Sequence, residues 1–168
     1  EVIMQCPGFC ESLEVVDTED AGRPYQVSDR LEELYKALVL GLRDYIRKCG
    51  FKKVVIGLSG GIDSALTAVL AAKALGAENV LGVTMPSEFS SSGSVDDSIR
   101  LATNLGIAFE KITIGKSFES LKNDLSSIFR ETEEDITEEN MQARLRGLLL
   151  MSISNKMGCL LLTTGNKS

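Results

Sequence analysis

The chain alternates short apolar runs with segments of helical periodicity, and this alternation is what most constrains its fold. Four apolar runs predict β-strands, at residues 53–58, 80–85, 109–114 and 160–164. Helical patterns lie between and after the first three of them, at residues 65–75, 94–105, about 117–129 and about 138–157. Strands that alternate with helices predict an α/β fold, a doubly wound parallel sheet with helices on both faces.

The N-terminal region is organised differently. Residues 1–27 show no sustained periodicity and are expected to form a linker or an extended arm. Helical order is predicted to begin near Ser28 or Asp29, with Glu32 placed for a capping box behind Asp29. The helix that follows carries an apolar stripe at spacings of three and four, formed by Leu31, Leu34, Leu38, Leu42 and Ile46.

The C-terminal end lies where a binding site is expected. In open parallel sheets, ligands bind at the carboxyl ends of the strands. The sequence stops at residues 163–168, immediately after the fourth predicted strand. We therefore expect a chain that is truncated at its C-terminus, with residues 28–168 as the N-terminal portion of a larger domain.

Composition excludes several classes of function. The net charge of −6 argues against a nucleic-acid binder, and no apolar run approaches the length that spans a bilayer, so a cytoplasmic protein is expected. The four cysteines are too scattered for a disulfide framework and are expected to be free thiols. Because the chain has no histidine, catalysis must rest on positioning, on Lys and Arg electrostatics and on a carboxylate-bound metal.

A hexapeptide, Ser59-Gly60-Gly61-Ile62-Asp63-Ser64, joins the first predicted strand to the next helix. It lacks the lysine of the P-loop and the third glycine of the dinucleotide fingerprint. Backbone N–H groups at a helix N-terminus nonetheless form an anion-binding nest, and Asp63 beside an anion indicates a divalent cation that bridges the two. The alternative is a tight turn in which Asp63 or Ser64 simply caps the helix.

The hexapeptide resembles the SGGxDS loop of the ATP pyrophosphatases (PP-loop enzymes), which split ATP into AMP and pyrophosphate. Three further segments resemble NAD synthetases: Met85-Pro86-Ser87 with the serine-rich stretch after it, residues 138–146 (EENMQARLR) and residues 164–168 (TGNKS). The last of these is similar to the glutamine-dependent branch. The resemblance covers about residues 31–168 and implies an adenine nucleotide alpha-hydrolase-like, Rossmann-like fold. It also implies that residues 1–27 form the linker that follows an upstream glutaminase domain.

The resemblance implies ATP-dependent amidation of deamido-NAD to NAD. The nicotinate carboxylate attacks the α-phosphorus of ATP, and ammonia then displaces AMP from the adenylated intermediate. ATP, deamido-NAD and ammonia (free or from glutamine) are the implied partners, Mg²⁺ is the implied cofactor, and a homo-oligomer, at least a dimer, is implied. The alternatives are another PP-loop enzyme such as a GMP synthetase-type amidotransferase, a regulatory module that only binds nucleotide, and a structural interaction domain.

The motifs assign residues as follows. The implied ATP-binding set is Ser59, Gly60, Gly61, Asp63, Ser64, Met85, Thr164 and Lys167. Asp63 and Lys167 are the implied catalytic residues, and Asp63 is the implied metal ligand. Asn140 and Arg144 share a helix face, as do Gln142 and Arg146, and the first pair is assigned to deamido-NAD.

Other features of the long helix and its surroundings bear on these assignments. The alternative for Arg144 and Arg146 is pairing with the acidic run at residues 131–139. The apolar stripe of the same helix is predicted at Met141, Leu145, Leu148, Leu149 and Ile153. Glu88 stands where many relatives carry a basic residue, so no contact is assigned there. The family's further metal-binding glutamate would lie one residue past Ser168.

Overall fold

The computed structural model describes residues 2–87, 91–130 and 132–165. The helices of this part of the chain are α1 (Arg30–Lys48), α2 (Ile62–Leu75), α3 (Ser92–Leu105), α4 (Gly115–Leu125) and α5 (Ile136–Met157), with a short 3-10 helix at Ala77–Asn79. Its strands are β1 (Val54–Gly57), β2 (Val80–Thr84), β3 (Ala108–Lys111) and β4 (Leu160–Leu162). Each predicted strand and helix is present, although several boundaries differ.

The four strands form one parallel sheet in the order β3-β2-β1-β4. Alternate residues of β1 enter different cores: Val54 and Ile56 pack with residues of α1, α2 and α3, whereas Val55 packs with Leu150 of α5. Because successive side chains of a strand leave opposite faces, helices cover both faces of the sheet. This confirms the predicted doubly wound α/β fold.

Helix α1 begins where its sequence predicts, since the Asp29 side chain accepts a hydrogen bond from the Leu31 N–H at 3.0 Å. The predicted capping box with Glu32 was wrong, because the Glu32 carboxylate instead pairs with Lys36 at 2.7 Å. Its apolar stripe is buried only at the C-terminal end. Ile46 is fully buried, whereas Leu31 and Leu34 are 74% and 55% exposed. The N-terminal half of α1 therefore presents apolar side chains to solvent in the described part of the chain.

Two helix starts differ from the prediction. Helix α3 begins at Ser92 rather than at residue 94, because Ser91 caps it and its Oγ accepts from the Ser94 N–H at 3.2 Å. Helix α5 begins at Ile136 rather than near residue 138, because Asp135 and Glu138 form a reciprocal capping box. In a serine- or acid-rich stretch several residues can cap, and tertiary packing selects one.

The buried side of α5 also differs from the predicted stripe. Leu148 is 64% exposed, whereas Leu150, which was not assigned to the stripe, is 9% exposed and belongs to the core. Leu145, Leu149 and Ile153 pack against that core as predicted. The face of α5 that meets the sheet is thus rotated relative to the one predicted.

Residues 2–27 lie outside helices and strands but are not fully extended. An antiparallel bridge joins Val2 to Arg23, and Gln5 and Gln26 exchange two hydrogen bonds of 2.9 Å. The segment therefore folds back on itself, and its role as a linker stays a prediction. None of the helices in the described ranges combines the length and apolar character that a bilayer crossing requires.

Candidate active site

The Ser59–Ser64 loop lies at the carboxyl end of β1 and leads into α2. Gly60 has a φ of +81°, and a Cβ atom there would lie 2.7 Å from both Cα and the carbonyl oxygen of Ser94. Glycine is required on both counts, because the left-handed region disfavours side chains and α3 leaves no room. The loop thus brings the N-terminal turn of α3 against the first turn of α2.

Gly61 is the N-cap of α2 and supplies no capping side chain. Capping of the helix by Asp63 or Ser64, the alternative for this loop, is therefore wrong. An N-terminal turn without a side-chain cap keeps N–H groups available to an anion, and the helix dipole favours negative charge at the same point. This is the local geometry of a phosphate-binding nest.

Ser64 stabilises this loop from inside. Its side chain is buried, its hydroxyl donates to the Gly61 carbonyl at 2.9 Å, and its Oγ accepts from the Ser59 N–H at 3.3 Å. The Ser59 Oγ in turn accepts from the Gly61 N–H at 3.2 Å. These bonds hold the glycine main chain in shape, so a direct contact of Ser64 with phosphate stays a prediction.

Asp63 lies in the first turn of α2 with an exposed side chain. Within the described residues its carboxylate makes no hydrogen bond or ion pair. The same residues contain no group of three acidic or cysteine side chains that could hold a metal. Magnesium is commonly bound by one or two carboxylates together with substrate phosphates, and a free carboxylate beside a phosphate nest fits that donor set.

A cavity of about 290 Å³ opens between the ends of β1 and β2 and helix α5. Its lining includes Gly57, Ser59, Thr84, Met85, Ser94 and Arg146. The apolar wall contributed by Met85 and Leu150 suits a flat heteroaromatic ring, and Ser59 connects the cavity to the phosphate loop. Met85, an implied ATP-binding residue, is thus placed beside Ser59.

Arg146 was not assigned to the site from the sequence. Its Nε donates to the Met85 carbonyl at 3.1 Å, and one of its terminal nitrogens donates to the Gln142 side-chain oxygen at 3.3 Å. Burial lowers the pKa of its guanidinium. The sequence predicts that Gln142 and Arg146 share a helix face, but it does not predict that this face contacts the Met85 carbonyl.

Asn140 and Arg144 lie on the N-terminal half of α5 and are exposed. The Arg144 guanidinium donates to both the backbone and the side-chain oxygen of Asn140 at 3.2 Å. Within the described ranges neither arginine pairs with the acidic run, whose residue Glu134 instead binds Lys122. The structure does not bring Asn140 and Arg144 into the cavity, so their assignment to deamido-NAD stays a prediction.

Thr164 lies two residues past β4 and is exposed. Leu162 is in register with Ile56 of the neighbouring strand, so Thr164 leaves the sheet at the edge where the phosphate loop begins. Its placement is compatible with the implied contact to ATP. Lys167, the other implied phosphate ligand and catalytic residue, lies outside the described residues.

A parallel sheet with a glycine turn, an uncapped helix N-terminus and an adjoining cavity at its strand ends is typical of nucleotide-binding α/β proteins. Comparison with known families identifies which kind. The sequence profile described as NAD synthase matches residues 34–168, and the chain belongs to that family.

Individual relatives agree with this assignment. The glutamine-dependent NAD(+) synthetase of Thermotoga maritima is 58% identical over 139 residues, which are 83% of this chain and 24% of that protein. The enzyme of the same name from Rhodobacter capsulatus is 47% identical over 175 residues, a match that covers 99% of this chain and 32% of that protein. The chain thus spans a third or less of the length of these relatives.

A solved structure matches the fold closely. The glutamine-dependent NAD+ synthetase of Acinetobacter baumannii, in complex with ADP, superimposes with a TM-score of 0.83 at 43% identity. The match covers 88% of this chain and 28% of that one.

Proposed function

We propose that the protein to which this chain belongs amidates deamido-NAD to NAD at the expense of ATP, releasing AMP and pyrophosphate, as a ligase that forms a carbon–nitrogen bond. The observation that carries the proposal is the phosphate nest with its free Asp63 carboxylate, in a chain whose residues 34–168 match the NAD synthase family. The relative solved with ADP supports an adenine nucleotide as the ligand.

The chemistry requires activation of a carboxylate. Ammonia does not displace the oxygen of a free carboxylate, because that oxygen is a poor leaving group. In the first step a nicotinate carboxylate oxygen bonds to the α-phosphorus of ATP, and the bond to the bridging oxygen of pyrophosphate breaks. In the second step the ammonia nitrogen bonds to the acyl carbon and AMP leaves, while ammonia loses a proton. Positioning and charge neutralisation suffice, in keeping with a chain that has no histidine.

The residues of the site divide this work. The Gly60 N–H and the uncapped N–H groups in the first turn of α2 hold the leaving pyrophosphate, and Asp63 would hold Mg²⁺. A Mg²⁺ ion held there would supply charge neutralisation at the phosphates. Thr164 and Lys167 add contacts to the phosphates from the neighbouring strand end, and Met85 lines the adenine side. Asn140 and Arg144 bind the acceptor.

The test uses the full-length protein with ATP, Mg²⁺, ammonium and deamido-NAD, and measures the NAD and pyrophosphate formed. We expect the two products in equal amounts. Pyrophosphate release that does not depend on deamido-NAD would refute the proposal. Replacement of deamido-NAD by xanthosine monophosphate tests the GMP synthetase-type alternative in the same assay. Replacement of ammonium by glutamine identifies the nitrogen donor.

Asp63→Asn tests the metal-binding role within the same assay. We expect turnover to fall at least about 100-fold, since a neutral amide is a weak Mg²⁺ ligand, while the melting temperature changes little because the side chain is exposed. Asp124→Asn is the matched control, an exposed acidic residue of α4. Full activity of Asp63→Asn would remove the residue from the mechanism.

We also propose that the protein is a homo-oligomer, at least a dimer. The exposed leucines of α1, Leu31, Leu34 and Leu38, form an apolar face that a second copy would cover. Light scattering of the full-length protein and of Leu34→Asp tests this, because a charge at such an interface should dissociate it. A monomeric wild type would show that other parts of the protein cover the face.

A cytoplasmic location completes the proposal. All four cysteines are free, and Cys6, Cys10 and Cys49 are exposed. Exposed free thiols are typical of reducing compartments.

A further inference from the structure

Arg146 connects two parts of the candidate site that are far apart in sequence. It lies in the middle of α5 and donates through Nε to the carbonyl of Met85, 61 residues away, at 3.1 Å. A terminal nitrogen donates to Gln142 one turn earlier, which fixes the plane of the guanidinium. A planar group with two anchored donors is held more firmly than a flexible ammonium.

The carbonyl that Arg146 binds is one that the sheet leaves open. The carbonyls before and after it, those of Thr84 and Pro86, accept backbone N–H groups of the segment that follows β3, at 2.9 and 3.2 Å. The Met85 carbonyl instead accepts from the side chain of Arg146 in helix α5. Arg146 therefore fixes the main chain where β2 leaves the sheet, at the wall of the cavity.

The charge of Arg146 is not neutralised within the described residues. None of the ion pairs there includes it, and burial alone shifts its pKa downward. Arg144, two positions earlier, is exposed and hydrogen-bonds only to its own helix in the described part of the chain. The two hydrogen bonds give Arg146 a structural role, and its unpaired positive charge remains at the cavity wall, where it can favour an anionic ligand.

We infer that Arg146 is a positioning residue for the nucleotide: by holding the Met85 carbonyl it sets the adenosine-side wall of the cavity, and its positive charge favours the anionic ligand. The inference rests on the proposed use of ATP. Arg146 acts through Met85 and the local field and is distinct from the residues proposed to contact phosphate or acceptor.

The experiment compares Arg146→Met and Arg146→Lys in the full-length protein. Methionine retains an apolar stem but loses both hydrogen bonds and the charge, whereas lysine retains the charge and one bond. The readouts are the dissociation constant of Mg²⁺-α,β-methylene-ATP by calorimetry and the KM values of ATP and deamido-NAD. We expect Arg146→Met to weaken binding of the analogue at least about tenfold, with the KM of deamido-NAD changed less than threefold. Arg146→Lys should recover part of the lost affinity.

Two results would overturn the inference. If Arg146→Met lowers the melting temperature but leaves the affinity of the analogue within twofold of wild type, the residue is only structural. If the KM of deamido-NAD rises more than that of ATP, it belongs to the acceptor side. Should Arg146→Met fail to fold, Gln142→Leu removes the second anchor alone, and we expect a smaller loss of affinity in the same direction. Unchanged affinity in Gln142→Leu and Arg146→Lys would then refute the inference.

A matched control separates this effect from a general loss of positive charge. Lys156→Met removes an exposed cation from the last turn of the same helix, and we expect it to leave affinity for the analogue unchanged. The binding readout also separates this inference from the proposed reaction. If the wild type makes no NAD but Arg146→Met still weakens binding of the ATP analogue, deamido-NAD is not the acceptor, while the role of Arg146 stands.

Discussion

Gly60 is the position at which one added methyl group should disturb the candidate site most. Its φ of +81° lies in the left-handed region, and an added Cβ would sit 2.7 Å from the Cα and carbonyl oxygen of Ser94. Both neighbouring atoms are backbone, so no side-chain rotation relieves the contact. Gly60→Ala therefore forces either the loop or the first turn of α3 to move.

The expected destabilisation has two parts. A left-handed conformation costs a non-glycine residue about 1–2 kcal/mol. Overpacking against fixed atoms costs about 1–3 kcal/mol more. The sum, about 2–5 kcal/mol, is a large part of the 5–15 kcal/mol that is typical for domain stability.

Gly106→Ala measures the first part alone. Gly106 caps the C-terminus of α3 with a φ of +67°, and nothing lies within 4 Å of an added Cβ. In urea titrations we expect Gly60→Ala to lower the free energy of unfolding by at least about 1 kcal/mol more than Gly106→Ala does. Equal effects of the two substitutions would refute the claim that α3 packs on the phosphate loop.

The same pair of variants separates stability from binding. A shift of α3 or of the loop changes the direction of the N–H groups in the nest. Gly60→Ala should therefore also weaken the binding of Mg²⁺-α,β-methylene-ATP. Gly106→Ala, at the other end of α3, should leave the affinity for this analogue unchanged. A destabilised Gly60→Ala protein with wild-type affinity would mean that the nest does not bind the phosphates.

Three further predictions follow from the burial and bonding of other residues. Ile46→Ala should lower the free energy of unfolding in urea by about 2–5 kcal/mol because the side chain is fully buried, whereas Leu31→Ala, 74% exposed in the same stripe, should change it by less than about 0.5 kcal/mol. Hydrogen bonds from Thr137 hold the pKa of Asp135 below its usual value, so its contribution is complete above the unfolded pKa of about 4 and is lost as the pH falls through the lower folded pKa. The difference in melting temperature between wild type and Asp135→Ala should shrink accordingly on acidification. Arg144→Met should raise the KM of deamido-NAD at least about tenfold and leave the affinity for the ATP analogue within threefold.

The strands, the helices and the two-sided sheet follow from patterns that are local in sequence, and this explains why they could be predicted, whereas the strand order β3-β2-β1-β4 was not predicted. β1 and β2 lie inside the predicted apolar runs, and the helices α2 to α5 begin and end within four residues of their predicted limits. β3 is shorter than its run because Ile114 leaves the sheet and becomes the buried residue that precedes α4. Apolar periodicity reports burial, and a buried residue need not be part of a strand.

Which part of an apolar stripe is buried depends on lengths that no local pattern contains. Helix α1 has 19 residues, which at about 1.5 Å per residue give roughly 28 Å. β1 has four residues, which at about 3.3 Å per residue give roughly 13 Å. A helix twice as long as a strand cannot be covered along its whole length by the sheet, and the main neighbour of α1 is the shorter helix α2. The exposed leucines of α1 are the consequence.

The candidate site divides in the same way between local and distant contacts. The bonds among Ser59, Gly61 and Ser64 lie within six residues, so the hexapeptide alone predicts a shaped loop. The bond between Arg146 and Met85 joins residues far apart in sequence, and no spacing rule predicts it.

What helix geometry does predict is that Arg144 and Arg146 serve different sides of α5. Residues two apart on a helix are separated by about 200° around its axis, so the two guanidinium groups cannot share a ligand face. The structure agrees, since Arg144 is exposed beside Asn140 whereas Arg146 is half-buried against Met85. We therefore propose that the two cations have separate tasks, and the kinetic signature is a higher KM of deamido-NAD in Arg144→Met and a higher KM of ATP in Arg146→Met. If both substitutions raise the same KM, the two faces act on one substrate and the division is wrong.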